Sequence, residues 1–317
     1  MRVLFWGTPE FATPALRALI GEGFDVVGVV TQPDRPVGRS RSTVAASPVK
    51  NIAADEGIPL LQPERPRGDE VLSQLAKLKP ELSVVVAYGH ILPKVVIDLP
   101  PRGTVNIHAS LLPALRGAAP IQAAIREGRA ETGVTIMRMV PALDAGPIIL
   151  QARTAVLDDE TYGELSLRLS ELGALTLIEA LSLIELGGAR EEPQDERRAT
   201  YAPKIDRAST WIDWSASAST VCRLIRSLDP KPGGLTVLRG TEVKLFGAKL
   251  APRVASTAAG QIVAIDDDGL VVACGDGAAR VTVVQPAGKR RLAPNDWARG
   301  RGAVVGDRFD TAPAAVS

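Results

Sequence analysis

Three polar residues in the first half of the chain have the types and spacing that acyl transfer requires. Asn106 and His108 are two positions apart in the run Thr104–His108, whose β-branched residues predict a strand. Side chains alternate along a strand, so the amide of Asn106 and the imidazole of His108 are expected on one face. Together they predict a pair of donors for an oxygen that becomes negative in the transition state. Losing one such donor commonly raises a barrier by about 3 kcal/mol.

A carboxylate is the third candidate. Asp144 lies in the run Pro141–Pro147, where two prolines and Gly146 favour a rigid loop. If Asp144 faces His108, it can fix the imidazole tautomer, favour the protonated ring, or relay a proton from the attacking nucleophile. Each residue alone also has a simpler interpretation, because a strand-end histidine can be satisfied by its neighbours and an aspartate is common in turns. Spacing alone leaves both interpretations open.

The elements that must position these residues follow an alternating pattern. Short apolar runs alternate with helical patterns, which is typical of βαβ units and predicts a Rossmann-like α/β fold with a mostly parallel sheet and helices on both faces. The strands are predicted at Val3–Trp6, Val26–Val30, Leu82–Ala87, Thr104–His108 and Val134–Val140. The helices are predicted at Pro14–Ile20, Pro48–Glu56, Glu70–Leu78, Ala119–Glu127 and the leucine-rich Tyr162–Leu186. His108 would then end a parallel strand, where open α/β sheets meet their ligands.

The second part of the chain has a different pattern. Residues 190–209 are polar and irregular and predict a linker between a catalytic domain, 1–189, and a C-terminal domain, 210–317. After a predicted helix, Ala216–Leu228, short strands alternate with turns and predict an OB-like β-barrel, with a β-sandwich as the alternative. The strands are predicted at Gly234–Leu238, Val243–Ala248, Gly260–Ile265, Leu270–Ala273 and Arg280–Gln285.

Composition narrows the class of protein. A chain of 317 residues with 45% hydrophobic content can form two domains with buried cores. The N-terminal apolar run stops at Gly7 and no run reaches the roughly 18 to 20 apolar residues of a membrane helix, so we expect a cytoplasmic protein with no membrane partner. Cys222 and Cys274 lack metal-binding spacing and predict small buried residues.

Charge is distributed unevenly between the two parts. Residues 1–189 contain 18 basic and 21 acidic residues, whereas residues 190–317 contain 19 basic and 15 acidic residues. The resulting balance of +4 in the second part is compatible with a polyanionic partner.

Several runs resemble the motifs of folate-dependent formyltransferases. These are Asn-Ile-His-Ala-Ser-Leu-Leu-Pro at 106–113, Arg-Gly-Ala-Ala-Pro-Ile at 116–121 and Leu-Asp-Ala-Gly-Pro at 143–147. Other runs resemble more specifically the formyltransferases that act on methionyl-tRNA, and several of them lie outside the catalytic domain. They are residues 5–11, 31–38, 87–93, 199–204, 212–215 and 288–291. The resemblance therefore covers nearly the whole chain.

The resemblance implies a reaction and roles for residues. The implied reaction transfers a formyl group from 10-formyltetrahydrofolate to the α-amine of initiator methionyl-tRNA. Asn106, His108 and Asp144 would be its catalytic residues. The resemblance also implies a monomer that uses no metal. The residues expected around the folate are Tyr88, Gly89, His90, Ile91, Leu92 and Pro93, with Ser110, Leu111, Leu112 and Pro113. The residues expected to contact tRNA are Arg35, Arg39 and Arg41 in one loop, and Lys289, Arg290 and Arg291 on the barrel.

Two runs depart from the family's pattern. Residues 39–43 are less basic than is common there, and residues 229–234 lack an aromatic between the prolines. Both departures concern the expected docking of RNA rather than the chemistry.

Three other functions compete with this interpretation. A formyltransferase acting on a glycinamide ribonucleotide or an amino sugar would share the Asn106, His108 and Asp144 set. A free-standing enzyme of the first kind, which serves purine synthesis, would lack the region after the linker. The sugar enzymes lack the run at residues 31–36. A nucleic-acid-binding protein with an idle α/β domain has no physical reason to keep that set. A dehydrogenase is disfavoured because no GxGxxG follows the first strand.

Overall fold

The computed structural model describes residues 1–37, 43–252 and 257–310 and divides the chain into two compact units. The first unit comprises Met1–Pro120, Thr132–Thr154 and Ser166–Ala202. The second comprises the chain from Pro203 onward together with two short earlier segments, Ile121–Glu131 and Ala155–Leu165. Within the described residues, no helix has the length and apolar character needed to cross a membrane.

The strands and helices have the following bounds. The strands are β1 Arg2–Gly7, β2 Asp25–Val30, β3 Arg35–Val37, β4 Thr43–Ala45, β5 Leu60–Leu61, β6 Leu82–Val86, β7 Thr104–His108, β8 Glu131–Arg138, β9 Ile148–Ala155, β10 Gly234–Leu238, β11 Thr241–Ala251, β12 Ile262–Asp266, β13 Gly269–Ala273 and β14 Ala278–Pro286. The helices are α1 Thr13–Gly21, α2 Pro48–Asp55, α3 Asp69–Lys77, α4 Lys94–Ile97, α5 Pro120–Arg126, α6 Tyr162–Glu185, α7 Ala218–Ser227 and α8 Pro294–Arg299.

The first unit contains a seven-stranded sheet in the order β5-β2-β1-β6-β7-β8-β9. The strands from β5 to β7 pair in parallel, and β8 pairs with β7 in the antiparallel direction. This arrangement confirms the mostly parallel sheet. The carboxyl ends of β6 and β7 lie side by side, which places the residues following these two strands at one edge of the sheet.

Helices cover both faces of this sheet, as the sequence predicts. Phe5 and Trp6 are adjacent in β1 and lie in two different apolar clusters, because neighbouring strand residues point to opposite faces. One cluster includes residues of α1, α2 and α6, and the other includes residues of α3 and α4. Proline begins α2 at Pro48, and the Ser47 hydroxyl accepts a hydrogen bond from the amide of Lys50 at 3.1 Å.

Some details differ from the sequence-based predictions. The short edge strand β5 and the strand β9 were not predicted. Strand β8 begins three residues before the predicted range 134–140 and ends two residues before the end of that range. Helix α6 has nearly the predicted bounds, but its leucines do not all face the sheet. Leu165 and Leu169 are fully buried, whereas Leu167 and Leu175 are 58% and 71% exposed. The leucines of α6 are therefore divided between its buried and its exposed faces.

The second unit contains an antiparallel five-stranded sheet in the order β10-β11-β14-β13-β12. The segment 307–310 connects its two outer strands, because Ile262 N in β12 donates to Asp307 O and Asp310 N donates to Val237 O in β10, at 2.8 and 2.9 Å. Backbone hydrogen bonds thus continue around the sheet, in agreement with the OB-like β-barrel expected from the sequence.

The core of the second unit includes both cysteines. Cys222 in α7 is 1% exposed and Cys274 after β13 is 7% exposed. Burial raises the pKa of the Cys222 thiol to about 11 and that of the Cys274 thiol to about 12. Both are neutral apolar residues of the core.

Candidate active site

Strand β7 brings Asn106 and His108 to one face of the sheet. Ile107, between them, points into the apolar cluster on the other face and is 5% exposed. β7 lies between a parallel and an antiparallel neighbour, so its backbone is fixed on both sides. The position of His108 is therefore set by a central strand, even though it is the last residue of that strand.

The two ring nitrogens of His108 have different surroundings. Nε2 lies 2.9 Å from the carbonyl oxygen of Leu115, and the imidazole is 6% exposed. A carbonyl oxygen can only accept, so Nε2 carries the hydrogen in this contact. Nδ1 faces the carboxylate of Asp144, with 3.7 Å between Nδ1 and Oδ2. The structure thus brings together His108 and Asp144, which are 36 positions apart in the sequence.

The carboxylate of Asp144 is held by a backbone amide. The Gly117 N–H donates to Oδ2 of Asp144 at 2.7 Å. Gly117 has φ +114°, and a Cβ there would lie 2.7 Å from the carbonyl oxygen of Ala202, so glycine is required at this position. The loop that carries Gly117 is therefore close enough to restrain the orientation of the carboxylate next to His108.

The amide of Asn106 is available to a ligand. Its side chain is half-buried, and within the described residues no hydrogen bond to it is found. An amide offers two donors and one acceptor oxygen. Asn106 can therefore donate to a group bound next to His108 without first breaking a contact within the protein.

The first segment expected around the folate, residues 88–93, presents few side chains outward. Tyr88 is 1% exposed and its ring meets Trp6 edge-on with 5.1 Å between centroids. Its hydroxyl is buried without a partner among the described residues, and burial raises its pKa to about 12. Leu92 is also buried, whereas Ile91 is 84% exposed. Ile91 is thus the most exposed side chain of this segment, and His90 and Pro93 are half-buried.

The second segment, residues 110–113, is fixed from the neighbouring strands. The Thr135 hydroxyl in β8 donates to Ser110 O at 2.7 Å and accepts from Leu112 N at 3.1 Å. Gln151 in β9 donates from Nε2 to Leu112 O at 2.9 Å and to the Thr135 oxygen at 2.8 Å. The segment that follows His108 therefore has a defined backbone conformation.

Comparison with known proteins identifies the family. The Formyl transferase family model matches residues 1–181, and the model of the Formyl transferase C-terminal domain matches residues 204–302. The chain is 45% identical to the methionyl-tRNA formyltransferase of Bacillus licheniformis over 96% of each chain. It is 46% identical to that of Methylococcus capsulatus over 98% of this chain and all of the relative. The chain belongs to the methionyl-tRNA formyltransferase family.

A solved structure shows the same fold. HypX from Aquifex aeolicus, determined in complex with tetrahydrofolic acid, superposes with a TM-score of 0.68 at 20% identity, over 93% of this chain and 46% of that one. This similarity concerns the fold. Membership in the methionyl-tRNA formyltransferase family rests on the full-length relatives.

For a methionyl-tRNA formyltransferase, the basic residues expected at the RNA differ in their surroundings. Arg39 and Arg41 lie outside the described residues, and of Arg35 only the backbone is described, in β3. Lys289 and Arg290 are exposed in the second unit. The guanidinium of Arg291 lies 3.7 Å from the centroid of the Phe246 ring and also donates to the Pro230 carbonyl, so it is held by the protein itself.

Several groups that shape this site were not predicted from the sequence. Two are backbone groups, the Leu115 carbonyl and the Gly117 amide, and backbone atoms leave no pattern in side-chain types. The others are side chains that contact loop backbones, namely Thr135, Gln151 and Gln194. Within the described residues, no group of three or more histidine, cysteine or acidic residues is arranged to hold a metal ion.

Proposed function

We propose that this chain transfers the formyl group of 10-formyltetrahydrofolate to the α-amine of initiator methionyl-tRNA, giving N-formylmethionyl-tRNA for translation initiation. The observation that carries the proposal is the pairing of His108 with Asp144 at the end of β7, in a chain similar over nearly its whole length to methionyl-tRNA formyltransferases. Asn106, His108 and Asp144 are the proposed catalytic residues.

The surface around these residues fits a folate. The segments 88–93 and 110–113 follow two adjacent parallel strands, and open α/β sheets bind ligands at this edge. Exposed Ile91 offers apolar contact to a flat ring, and the fixed backbone of Ser110–Pro113 offers hydrogen-bonding groups. We assign the residues of both segments, including His90 between Gly89 and Ile91, to binding of the folate. Once bound, 10-formyltetrahydrofolate supplies the formyl carbon.

The acceptor needs little activation. An α-amine has a pKa of about 7.7 to 8.0, so a useful fraction is neutral and nucleophilic near pH 7.5. The proposed site must therefore accept one proton from the amine and stabilise one oxygen that becomes negative as the amine adds to the formyl carbon. Collapse of the adduct breaks the bond between the formyl carbon and the folate nitrogen, and the proton taken from the amine is returned to that leaving nitrogen.

The geometry of His108 determines how the imidazole takes part. Nε2 is hydrogen-bonded to the Leu115 carbonyl, so Nδ1 is the ring atom that can donate to the developing oxyanion when the ring is protonated. Asp144, 3.7 Å from Nδ1, stabilises that cation and accepts the proton from the amine directly or through a water. The amide of Asn106, on the same face of β7, is the second donor.

We further propose the domain roles and cellular setting expected from the sequence. Residues 1–189 would form the catalytic domain, 190–209 the linker and 210–317 the domain that binds tRNA. In this proposal Arg35, Arg39, Arg41, Lys289, Arg290 and Arg291 contact the RNA. The protein would act in the cytoplasm as a monomer.

The decisive experiment follows labelled formyl from 10-formyltetrahydrofolate into different acceptors. Initiator methionyl-tRNA, free methionine, a glycinamide ribonucleotide and a deoxyaminosugar nucleotide are offered to the full-length chain under the same conditions. Rapid transfer to methionyl-tRNA alone is expected. Faster transfer to the ribonucleotide or the sugar would show that this compound, not methionyl-tRNA, is the acceptor. Absence of transfer to all four compounds would overturn the proposal.

A further inference from the structure

A polar segment that precedes the second unit is hydrogen-bonded to both loops of the candidate site. This segment, residues 192–202, was predicted from its composition to be part of a linker. In the structure the Thr200 hydroxyl accepts from Leu115 N at 2.9 Å, and the Gln194 amide donates to the Asp144 carbonyl at 2.8 Å. Leu115 provides the carbonyl that binds His108, so the segment contacts the backbone that supports each member of the His108–Asp144 pair.

Gln194 makes four hydrogen bonds whose direction is unambiguous. Its Nε2 donates to the carbonyl oxygens of Asp144 and Gly146, both at 2.8 Å. Its Oε1 accepts from Nε and Nη2 of Arg116, at 3.1 and 2.7 Å. Carbonyls only accept and a guanidinium only donates, so the amide has one orientation that satisfies all four contacts. Both hydrogens of the NH₂ group are used on the loop that carries Asp144.

Arg116 fixes Gln194 from the other side. Its side chain is 2% exposed, and besides Gln194 it forms two hydrogen bonds to the carboxylate of Glu196, both at 2.8 Å. A guanidinium buried in this way is costly unless its donors are paired, so the rotation of Arg116 is restricted. The neighbour of Arg116 in the chain is Gly117, whose amide binds the carboxylate of Asp144.

The loop needs such support because its backbone is in an uncommon conformation. Asp144 has φ +48°, in the left-handed region that non-glycine residues adopt only where their surroundings impose it. Gly146 is packed so closely that a Cβ would lie 1.8 Å from the carbonyl oxygen of Arg138. The two carbonyls bound by Gln194 belong to these two residues. Removing the amide would free the backbone that directs the carboxylate towards His108.

We propose that Gln194, oriented by Arg116, is a positioning residue that holds Asp144 in the geometry that formyl transfer requires. This inference rests on the proposed function of Asp144 and His108. Gln194 contacts neither of their side chains, and it acts through the Asp144 and Gly146 backbone. Misplacing a reacting group by about 1 Å can lower a rate by as much as a hundredfold, so loss of this amide should reduce turnover without removing any side chain of the site.

The test compares two replacements of Gln194 in the full-length chain. Gln194→Glu keeps the acceptor for Arg116 but sets a carboxylate against two carbonyl oxygens, and Gln194→Met removes all four hydrogen bonds at similar length. Both are expected to lower kcat tenfold to a hundredfold, with KM for 10-formyltetrahydrofolate and for methionyl-tRNA within about twofold of wild type. The Glu variant should lose less melting temperature than the Met variant, because Arg116 keeps its partners only in the Glu variant. Arg197→Ala, in the same segment but 89% exposed, is the matched control and should have wild-type kcat.

A spectroscopic measurement separates positioning from a general loss of structure. The chain has only two histidines, so a His90→Gln variant assigns their imidazole ¹⁵N signals. In Gln194→Glu the Nδ1 signal of His108 should move while the signals of His90 stay in place. Wild-type kcat in both Gln194 variants, or an unchanged Nδ1 signal, would overturn the inference. If Asp144→Ala is as active as wild type, it is instead the proposed role of Asp144 that fails.

Discussion

The imidazole of His108 and the carbonyl oxygen of Leu115 form a 2.9 Å hydrogen bond that leaves only Nδ1 facing Asp144. This relationship changes the role that the sequence suggested for the carboxylate. Fixing the imidazole tautomer was one of three roles that the sequence left open for Asp144, and the Leu115 carbonyl already keeps the hydrogen on Nε2. For Asp144 we therefore propose the two other roles, stabilising the protonated ring and accepting the proton of the amine.

The first prediction concerns the charge of Asp144. Asp144→Asn keeps the size of the side chain but removes the charge that faces Nδ1 and the proton acceptor, so kcat should fall by at least a hundredfold. His108→Ala should lower kcat by a similar factor. Asp55→Asn, an exposed change at the end of α2, is the control. Near-normal turnover in either site variant, measured at saturating substrates, would exclude the proposed site.

The second prediction concerns the segment that follows His108. Thr135→Val removes the hydroxyl that binds both Ser110 O and Leu112 N, and it leaves a buried carbonyl and a buried amide without that partner. Unfolding free energy should fall by about 1 to 3 kcal/mol, and KM for the folate should rise. Thr132→Val is the control, because Thr132 is buried in the same strand and no side-chain hydrogen bond to it is found among the described residues. Equal losses in both variants would exclude a specific role for Thr135.

The fold was predictable where burial and periodicity decide the structure. The strand that carries Asn106 and His108 was predicted with its observed bounds, because alternating β-branched residues in a buried sheet leave a clear pattern. Strand β9 was missed because its polar residues, such as Gln151, do not alternate clearly with apolar ones. Gln151 is one of the residues that fix the segment 110–113, so the side chains that support the site also obscured the strand pattern.

The site itself was predictable only for side chains that belong to a motif. The sequence raised the possibility that Asp144 faces His108, and the structure places Nδ1 and Oδ2 of the two residues 3.7 Å apart. The contact between Gln194 and the Asp144 carbonyl had no such signal, since Gln194 lies in a polar stretch with the composition of a linker. A hydrogen bond between a side chain and a backbone 50 positions away depends on tertiary structure, not on local pattern.

The third prediction concerns acid stability. Hydrogen bonds from Arg116 hold the pKa of Glu196 below its usual value in the folded protein. The charged carboxylate therefore stabilises the folded state fully at a pH above the usual pKa of glutamate. This stabilisation is lost as pH falls through the lowered pKa of the folded protein. Glu196→Gln should therefore lower the melting temperature at pH 7, and the difference should shrink progressively as pH falls below the ordinary pKa of glutamate, about 4.3. Glu192→Gln, exposed in the same segment, should show no difference at either pH. A deficit that persists unchanged at pH 3 would contradict the ion pair as its cause.

The fourth prediction concerns the cysteines. Burial raises the pKa of Cys222 to about 11 and that of Cys274 to about 12, so at pH 8 both are thiols shielded from solvent. A disulfide reagent at pH 8 should modify neither in the native protein and both in denaturant. Single Cys→Ala variants identify which thiol reacts if one does. Rapid native modification of either cysteine would show that the core of the second unit opens far more readily than its burial implies.

The fifth prediction concerns the exposed basic residues of the second unit. Lys289, Arg290 and Arg291 are all exposed, but the guanidinium of Arg291 is also held against Phe246 and Pro230. If the first two contact phosphates, replacing both with alanine should weaken tRNA binding and reduce the slope of log affinity against log salt by about one per lost contact. KM for the folate should not change. The pair Arg299→Ala and Arg301→Ala, which removes two exposed charges at and after α8, should keep the wild-type slope. An equal reduction in both pairs would indicate a diffuse effect of net charge, and an unchanged slope in the first pair would exclude Lys289 and Arg290 from the RNA interface.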